Sequence, residues 1–318
     1  MNMLPTKSTT LRNTENPDLM KKKAELTHLD KIYWPDENIT KGELLEYYSQ
    51  IAPYILPYLK NRPLSLLRNP NGIKEKGFFH KDAGDSAPDW IKKQEIYSES
   101  TDKMINYLVC NDVESLLFIA NMGCIEMNPW NSTIDKQDRP DYIVMDIDPS
   151  DKNTFEQVID VALVIKNIMD ETDMVGYCKT SGSSGLHVYI PFNKKHTYDE
   201  SRDFAQILAS MVNDRLPKFT TLERSLAKRK KNHIYIDYLQ NRQGQTLASA
   251  YSARPKPGAT VSAPLEWSEV KHGLRISDFT IKNMLKRVEE KGDLFKGVLG
   301  KGIDMSKTLE KMEAMHAG

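Results

Sequence analysis

The stretch Tyr142–Asp148 reads YIVMDID, and a Pro-Ser-Asp turn follows it. Its apolar and β-branched residues predict a buried strand that ends in two acids. Asn153 or Thr154 then caps a helix whose apolar residues recur at helical spacing: Phe155, Val158, Ile159, Ala162, Ile165 and Met169. A strand, a turn and a helix in succession indicate a mixed α/β fold.

Further strands and helices are predicted on both sides of this unit. The strand-like stretches are residues 63–68, 175–180, 186–192 and 234–239. Thr40 with Glu43 begins a helix that Pro53 should end or kink, and Thr197 with Glu200 begins another that runs to about Leu216. All these elements support the mixed α/β class.

The chain shows no internal repeat and no Gly/Ser-rich linker, so we expect two closely packed lobes rather than tethered domains. Residues 1–24 are expected to form a flexible tail, and residues 301–318 a helix or tail. A single domain is expected over residues 25–300, with an N-terminal lobe to residue 135 and a second lobe from residue 136.

The composition is that of an ordinary globular protein, with 39% apolar residues and equal numbers of basic and acidic residues, 44 each. Zero net charge does not exclude nucleic acid, since binding depends on where charge lies; the basic run KRKK at residues 228–231 is better explained, on composition alone, by a solvated surface. The three cysteines form no CxxC pair, which predicts reduced, buried thiols. No apolar stretch is long enough to span a bilayer, so we expect a cytoplasmic protein with no membrane partner.

Three aspartates are the best candidates for chemistry. Asp146 and Asp148 are two residues apart on a strand, so their side chains share a face, with Cα atoms about 6.5 to 7 Å apart. Asp237 ends the β-type run IYID and offers a third carboxylate. Carboxylate oxygens suit Mg²⁺ or Mn²⁺, and a two-ion site suits phosphoryl transfer. The alternative is that these acids only cap turns at strand ends.

The sequence TSGSSGLH, residues 180–187, is a candidate phosphate-binding turn. Its glycines allow positive φ, and its amides and hydroxyls suit phosphate oxygens, although it matches neither a Walker loop nor GxGxxG. His187 alternates with apolar neighbours and is placed to donate to a triphosphate. An ordinary hairpin turn and a structural histidine are the alternatives.

Two further pairs of residues suit nucleic-acid chemistry. Arg254 and Lys256 lie in AYSARPKPGA, where they are placed to grip a triphosphate, and Phe78 and Phe79 precede a His-Lys pair, as base stacking near cations requires. Ordinary surface charge and ordinary core packing explain the same residues. The GxSxG and HExxH motifs are absent from the sequence, which argues against a serine hydrolase and a zinc protease.

These motifs, in this order, resemble the archaeo-eukaryotic primase superfamily, and most closely the polymerase domain of bacterial DNA ligase D from non-homologous end joining. The resemblance covers roughly residues 26–295. It is carried by LTHLDKIYWP, ITKGELLEYY, NGIKEKGFFHKDA, GCIEMNPWNS, YIVMDIDP, TSGSSGLHVYIP, IYIDYLQN and SAYSARPKPGATVSAPLEW. Strings this long and ordered are far more specific than one motif.

The resemblance implies a primase-polymerase fold, in which two α/β lobes and a central mixed or antiparallel sheet form the active-site cleft. It implies a nucleotidyltransferase that extends primer 3′-ends and fills short gaps with NTPs or dNTPs, preferring ribonucleotides. The implied cofactors are two divalent ions, Mn²⁺ or Mg²⁺. Implied partners are DNA with gaps or broken ends, Ku and an ATP-dependent DNA ligase, which places the protein in the bacterial nucleoid.

The resemblance also assigns roles to residues of the second lobe, the catalytic one. Asp146, Asp148 and Asp237 match the metal-binding catalytic carboxylates. The nucleotide-contacting positions are matched by Ser181, His187, Gln240 and Arg254, and less securely by Lys256 and Lys230.

Four residues of the N-terminal lobe match DNA-contacting positions. Lys31 and Lys41 match the lysines that hold the 5′-phosphate of the downstream strand. Phe78 and Phe79 match the aromatic residues that stack on the template.

The sequence departs from the family pattern at two places. Asn128 stands where many relatives carry His in E-x-H-P-W, and Ser184 stands where many carry Lys in SGxKG. We expect altered or weakened nucleotide handling rather than loss of the reaction. A KxDG ligase motif is also absent, so we do not expect this chain to seal nicks unaided.

Two other functions are open at this point. A DxD strand end also suits a haloacid-dehalogenase-like phosphatase, although Pro149 and Ser150 match its motif poorly. A non-catalytic module that bridges DNA ends would keep Lys31 and Lys41 while Asn128 and Ser184 disable synthesis; the three retained aspartates argue against it.

Overall fold

The computed structural model describes residues 24–82, 87–98 and 101–317. The predicted N-terminal tail lies outside these residues, except for its last residue. The helices are α1 Lys41–Leu59, α2 Val113–Asn121, α3 Phe155–Glu171, α4 Tyr198–Arg215, α5 Met284–Lys291 and α6 Met305–Ala317. The strands are β1 Ile32–Trp34, β2 Ile39–Thr40, β3 Leu64–Arg68, β4 Phe78–His80, β5 Lys93–Ser98, β6 Lys103–Leu108, β7 Cys124–Pro129, β8 Tyr142–Asp148, β9 Tyr177–Thr180, β10 Leu186–Pro191, β11 Thr220–Thr221, β12 Ile234–Asp237 and β13 Pro264–Leu265. The mixed α/β class is confirmed.

Capping boxes begin three of the helices. Thr40, Thr154 and Thr197 each accept a hydrogen bond from the amide three residues on, and the Glu or Gln at that position bonds back to the threonine amide. Pro53 does not end α1, which continues to Leu59. Burial of its last two turns offsets the missing backbone hydrogen bond, because Ile55 and Tyr58 lie in the core.

A six-stranded sheet in the order β11-β12-β8-β10-β9-β13 forms the centre of the second half of the chain. Every pairing is antiparallel except β11 with β12. Helices α3 and α4 contact β8, and α3 also contacts β10. They pack on the face to which Ile143, Met145 and Ile147 point, so the opposite face carries the aspartates.

A three-stranded sheet, β4-β3-β7, organises the first half of the chain. Helices α1 and α2 pack on each other and on β7. One continuous hydrophobic core joins both sheets, running from Ile51 of α1 to Ile147 of β8. The three cysteines are reduced and buried, as predicted.

Side-chain to backbone hydrogen bonds connect the two halves. Tyr47 Oη donates to the Tyr251 carbonyl at 2.7 Å, and Trp34 Nε1 donates to the Lys256 carbonyl at 2.8 Å. The Ser252 hydroxyl accepts from the Met127 amide at 2.8 Å. The segment around residues 251–256 therefore packs directly on the N-terminal elements.

The strand predicted at residues 234–239 is shorter than expected. It ends at Asp237, where a 3-10 turn, Tyr238–Asn241, begins. The Asp237 carboxylate accepts from the Leu239 amide at 2.9 Å, and this bond turns the chain. Within the described ranges, no helix has the length and apolar run that crossing a membrane requires.

Candidate active site

A row of polar side chains crosses the six-stranded sheet at one level. Asp237 of β12 is paired with Asp146 of β8, Asp146 with His187 of β10, and His187 with Lys179 of β9. Directly paired residues of antiparallel strands point to the same face. The register therefore brings two predicted carboxylates and the predicted histidine together, and adds a lysine that the sequence analysis did not select.

Asp146 lies at the centre of this row. Its side chain is 15% exposed, and its Oδ1 is 3.3 Å from His187 Nε2. The pKa of Asp146 is raised to about 8, mainly by burial and then by the neighbouring Asp237 and Asp148 carboxylates, while Lys179 and Arg254 oppose the shift. The carboxylates repel one another, and a bound cation would relieve this repulsion, as in cation-binding sites.

Asp148 lies two residues on, at the open end of β8. Arg229 Nη1 is 3.6 Å from its carboxylate, and the Arg229 guanidinium stacks on the Tyr235 ring at 4.2 Å. Burial raises the pKa of Asp148, and Arg229 opposes this. Arg229 is a site residue that the sequence analysis missed. In the run KRKK, the sequence does not distinguish a guanidinium that stacks on an aromatic ring from one that is fully solvated.

Asp237 is held by its own turn. One carboxylate oxygen accepts from the Leu239 amide, and the other accepts from Gln240 Nε2 at 3.1 Å. Gln240 was predicted to contact the nucleotide. Its side-chain amide donates to a carboxylate of the row, and its contact with a nucleotide stays a prediction.

The predicted metal ligands suit a hard divalent ion by donor chemistry. Asp146 and Asp148 line a cavity of about 240 Å³, and the raised pKa of Asp146 reflects burial first and then repulsion by the other two carboxylates, which a cation would relieve. No three Asp, Glu, His or Cys side chains form a complete metal cage in the part of the chain that the structure describes. The carboxylate oxygens of the aspartates are the donor type that such ions prefer. Their side chains would have to rotate before two or more of them could bind the same ion.

Ser181 organises the turn between β9 and β10. Its Oγ accepts from the amides of Ser183, Ser184 and Gly185 at 3.0 to 3.2 Å. The expectation that the amides of this turn face phosphate is therefore wrong for these three, because they point at Ser181. The Ser183 and Ser184 side chains, in contrast, line the cavity.

Arg254 lines the same cavity and contacts the first half of the chain through Glu126. Its Nε donates to Glu126 at 2.8 Å, and its Nη1 donates to the Ser181 carbonyl. Gly182 has φ +69, and a Cβ there would lie 2.6 Å from the Arg254 side chain, so glycine is required for this approach.

Asn128, at the position where the sequence resemblance predicts a histidine, belongs to this network. It is 4% exposed, lines the cavity and donates to Glu126 at 3.1 Å. The asparagine gives Glu126 a hydrogen-bond donor that carries no titratable group. Glu126 links Asn128 to Arg254, and the sequence analysis missed it because an acid inside GCIEMNP has no spacing partner.

His187 and Lys179 form the buried end of the row. Burial lowers the pKa of His187 well below its ordinary value, and Lys179 and Arg254 lower it further. Burial, and then Arg254, lower the pKa of Lys179. The predicted histidine is therefore a neutral ring, with one nitrogen toward Asp146 and the other toward Lys179.

The two less securely placed cations lie outside this cavity. Lys256 is exposed; its backbone carbonyl accepts from Trp34 Nε1 and from the Ala259 amide, and its own amide donates to the Arg254 carbonyl. Lys230 is exposed and lines a neighbouring cavity of about 350 Å³ that shares Asp148.

Lys31 and Lys41 lie together beside the first hairpin. The Lys41 amide donates to the Lys31 carbonyl at 2.8 Å. Lys41 is 4% exposed, and its Nζ donates to the Thr27 carbonyl at 2.7 Å. Burial and the nearby Lys31 ammonium lower the pKa of Lys41, while Lys31 Nζ donates to Asn71 Oδ1 at 2.5 Å. Two neighbouring cations make a candidate anion site.

Phe78 and Phe79 lie on β4, the edge strand of the smaller sheet. They are 49% and 65% exposed, which excludes the alternative that they are ordinary core. Neighbouring strand residues face opposite sides of a sheet, so the two rings offer separate stacking surfaces. The Arg68 guanidinium lies 5.5 Å from the Phe78 ring.

The chain was compared with known proteins. It is 35% identical over 271 residues to the bifunctional non-homologous end joining protein LigD of Bacillus subtilis, covering 85% of this chain and 43% of that protein. It is 30% identical over 274 residues to the multifunctional non-homologous end joining protein LigD of Mycolicibacterium smegmatis, covering 86% of this chain and 35% of that protein. The chain therefore spans less than half the length of these two relatives.

A solved structure supports the same fold. The polymerase domain from Mycobacterium tuberculosis ligase D in complex with DNA superposes with a TM-score of 0.80 at 24% identity, covering 89% of this chain and all of that one. The family model described as "LigD, primase-polymerase domain" matches residues 40–295. The resemblance seen in the sequence is thereby confirmed, and the chain belongs to the LigD primase-polymerase domain family, whose members are polymerases of the primase-polymerase type.

Proposed function

We propose that this chain adds nucleotides to primer 3′-ends and fills short gaps at DNA breaks that bear a 5′-phosphate, in non-homologous end joining. The observation that carries this is the row from Asp237 to His187, of which Asp146 and His187 line the cavity that Arg254 also lines. The LigD relatives are named for end joining, and the superposed polymerase domain is a complex with DNA.

Within this proposal, Asp146, Asp148 and Asp237 would hold two divalent ions, Mn²⁺ or Mg²⁺. Such ions, once bound, acidify a 3′-hydroxyl and neutralise charge on the phosphate under attack. We assign no protein group as general base, because His187 is buried between Lys179 and Asp146.

The chain's own residues position the nucleotide. Arg254 lines the cavity with its fork held by Glu126 and Ser181, which suits it to phosphate oxygens. His187 faces the same cavity, and the hydroxyls of Ser183 and Ser184 add neutral donors where relatives place a lysine. We expect nucleotide binding to be weaker with Ser184 than with a lysine at this position, because the serine carries no charge.

The DNA-end contacts belong to the same proposal. We assign the 5′-phosphate to Lys31 and Lys41, and template stacking to the exposed faces of Phe78 and Phe79. The proposal also includes two lobes, over residues 25–135 and 136–300, and a preference for ribonucleotides. Its proposed partners are an ATP-dependent ligase and Ku, and its proposed location is the bacterial nucleoid. Because the chain belongs to another family, we set aside the haloacid-dehalogenase-like alternative.

The test is primer extension by the native protein across a short gap with a downstream 5′-phosphate. Four arms use Mn²⁺ or Mg²⁺ with NTPs or dNTPs, and a fifth adds a chelator. Templated addition in the metal arms, faster with NTPs and lost with chelator, is expected. Tight binding to the gap without addition in any arm would overturn the polymerase proposal and favour the end-bridging module.

A further inference from the structure

Asp293, just after helix α5, joins three parts of the chain. Its Oδ2 accepts from Tyr58 Oη of helix α1 at 2.7 Å. Its Oδ1 accepts from Tyr251 Oη at 2.7 Å and from the Phe295 amide at 3.0 Å. Both tyrosines are buried. We call Tyr58, Tyr251 and Asp293 the tyrosine clasp; nothing in the proposed reaction uses its carboxylate.

Tyr251 has a backbone conformation that bulky residues rarely adopt. Its φ is +66, in the left-handed region where a Cβ crowds the backbone. Such a residue keeps this conformation only when its surroundings hold it. The Tyr251 amide donates to the Ser262 carbonyl at 2.8 Å, and its carbonyl accepts from Tyr47 Oη at 2.7 Å. The bond from its hydroxyl to Asp293 is a third point of attachment, and it fixes the direction of the ring.

The turn at Tyr251 directs the residues that follow it onto strand β7. Ser252 Oγ accepts from the Met127 amide at 2.8 Å. Two residues later, Arg254 Nε donates to Glu126 at 2.8 Å, and its side chain lines the nucleotide cavity. Because φ sets the direction of the chain beyond a residue, relaxation of Tyr251 to an ordinary φ would move this segment. Arg254 would then lose its place in the cavity.

We propose that Asp293 is a positioning residue, whose bond to the Tyr251 hydroxyl holds the left-handed turn that places Arg254 in the nucleotide cavity. This inference rests on the proposed function for its consequence, which is tighter binding of the nucleotide phosphates. Asp293 does not line the cavity, so it acts through Tyr251. The competing explanation is that the bond from the Arg254 amide to the Thr260 carbonyl, at 2.8 Å, is enough to place this residue.

The first test is NMR of the whole protein labelled with ¹⁵N-arginine, without substrate. The Arg254 Nε–H is bonded to Glu126, so its hydrogen should exchange slowly with water, and Arg254→Lys identifies its resonance. In Tyr251→Phe, which removes only the hydroxyl, this resonance should shift and exchange about tenfold faster, as loss of one bond to a charged group allows. A native shift and exchange rate in that variant would overturn the proposal.

Tyr58→Phe is the matched control. It removes an equal bond, also 2.7 Å long, to the same carboxylate, from a tyrosine of helix α1 that lies outside the Arg254 segment. Both variants should lower the melting temperature by a similar amount, but only Tyr251→Phe should move the Arg254 resonance. Equal changes of that resonance in the two variants would indicate general loosening, and would contradict the inference.

The second test is the kinetics of Asp293→Ala and Asp293→Asn in primer extension. KM for the nucleotide should rise about 10-fold in Asp293→Ala with kcat little changed, because one bond to a charged group is lost and only binding is affected. Asp293→Asn keeps an oxygen that can accept from Tyr251, so it should recover part of the loss. A fall in kcat with native KM would contradict the inference.

The two tests separate the inference from the proposed function. The NMR test needs no activity, so it decides the role of the tyrosine clasp even if the native protein adds no nucleotide. If Asp293→Ala does not fold, Tyr251→Phe supplies the KM measurement, with a rise in KM expected and a native KM contradicting the inference.

Discussion

The carboxylate row, formed by Asp237, Asp146, His187 and Lys179, and the proposed DNA-end face, formed by Lys31, Lys41, Phe78 and Phe79, differ in how the fold holds them. Asp146, His187 and Lys179 are fixed by strand register inside a six-stranded sheet, and burial shifts all three of their pKa values. Phe79 and Lys31, by contrast, lie exposed on or beside short strands and turns.

From this difference we predict that the proposed catalytic residues and the proposed DNA-binding residues can be mutated separately. A buried, register-fixed group interacts with each neighbour in the row, so changing it alters charge, geometry and stability together. An exposed group at the rim contributes to binding and little to folding. Lys41 is the exception on the DNA-end face, because it is almost fully buried.

The largest expected effect is that of a change at Asp146, which should affect nucleotide addition but not DNA binding. Asp146→Asn should reduce nucleotide addition about a thousandfold or more, since it removes a charge at the centre of the row. Binding of gapped DNA, measured by fluorescence anisotropy, should stay within about twofold of native. Asp170→Asn, an exposed acid on α3, is the control and should match native in both assays. Equal losses of binding and addition in Asp146→Asn would break the distinction.

The DNA-end face should show the reverse pattern. Lys31→Ala should weaken binding to a gap with a 5′-phosphate about 10- to 100-fold, because a charge-assisted hydrogen bond is lost. The same variant on a gap with a 5′-hydroxyl supplies the control and should bind like native. Loss of affinity for both substrates would place Lys31 outside a phosphate site.

A moderate effect is expected where the turn departs from the family. Ser184 is exposed at the cavity, so Ser184→Lys has room and adds a cation toward the nucleotide phosphates. KM for the nucleotide should fall about three- to tenfold with little change in kcat. Ser184→Met adds similar length without charge; an equal fall in KM there would show that charge is not the cause.

The smallest effect is on stability. The folded pKa of Asp146 is about 8, far above its ordinary value, so the folded state binds this proton more tightly than the unfolded state. The free energy of unfolding should therefore fall as pH rises from about 4 to 8. In chelator-treated protein, Asp146→Asn should melt about 2–4 °C above native at pH 8 and nearly level with it at pH 5. A difference that does not change with pH would refute the buried-charge account.

Much of this could be predicted from the sequence. The YIVMDID pattern placed Asp146 and Asp148 on one face, and three threonine caps placed helix starts, because both depend on local periodicity. The register of the β9–β10 hairpin also follows from its turn, and would have placed Lys179 opposite His187.

Other features depend on contacts that no local pattern reports. The pairing of Asp237 with Asp146 needs the strand order β12-β8, which joins residues about ninety positions apart in the chain. Arg229 looked like part of a solvated run until its stacking on Tyr235 was visible. The inward direction of the Ser183–Gly185 amides likewise requires coordinates.

The hydrogen bonds between the two halves have a consequence for folding order. Tyr47 bonds a residue 204 positions later, and Trp34 bonds one 222 positions later. During synthesis, helix α1 emerges long before the segment near residue 251. The apolar face of α1 therefore stays uncovered until that segment has been made. We infer that the first half of the chain does not reach its native packing on the ribosome before the second half is made. Fragments that end before this segment should expose the apolar surface that it covers.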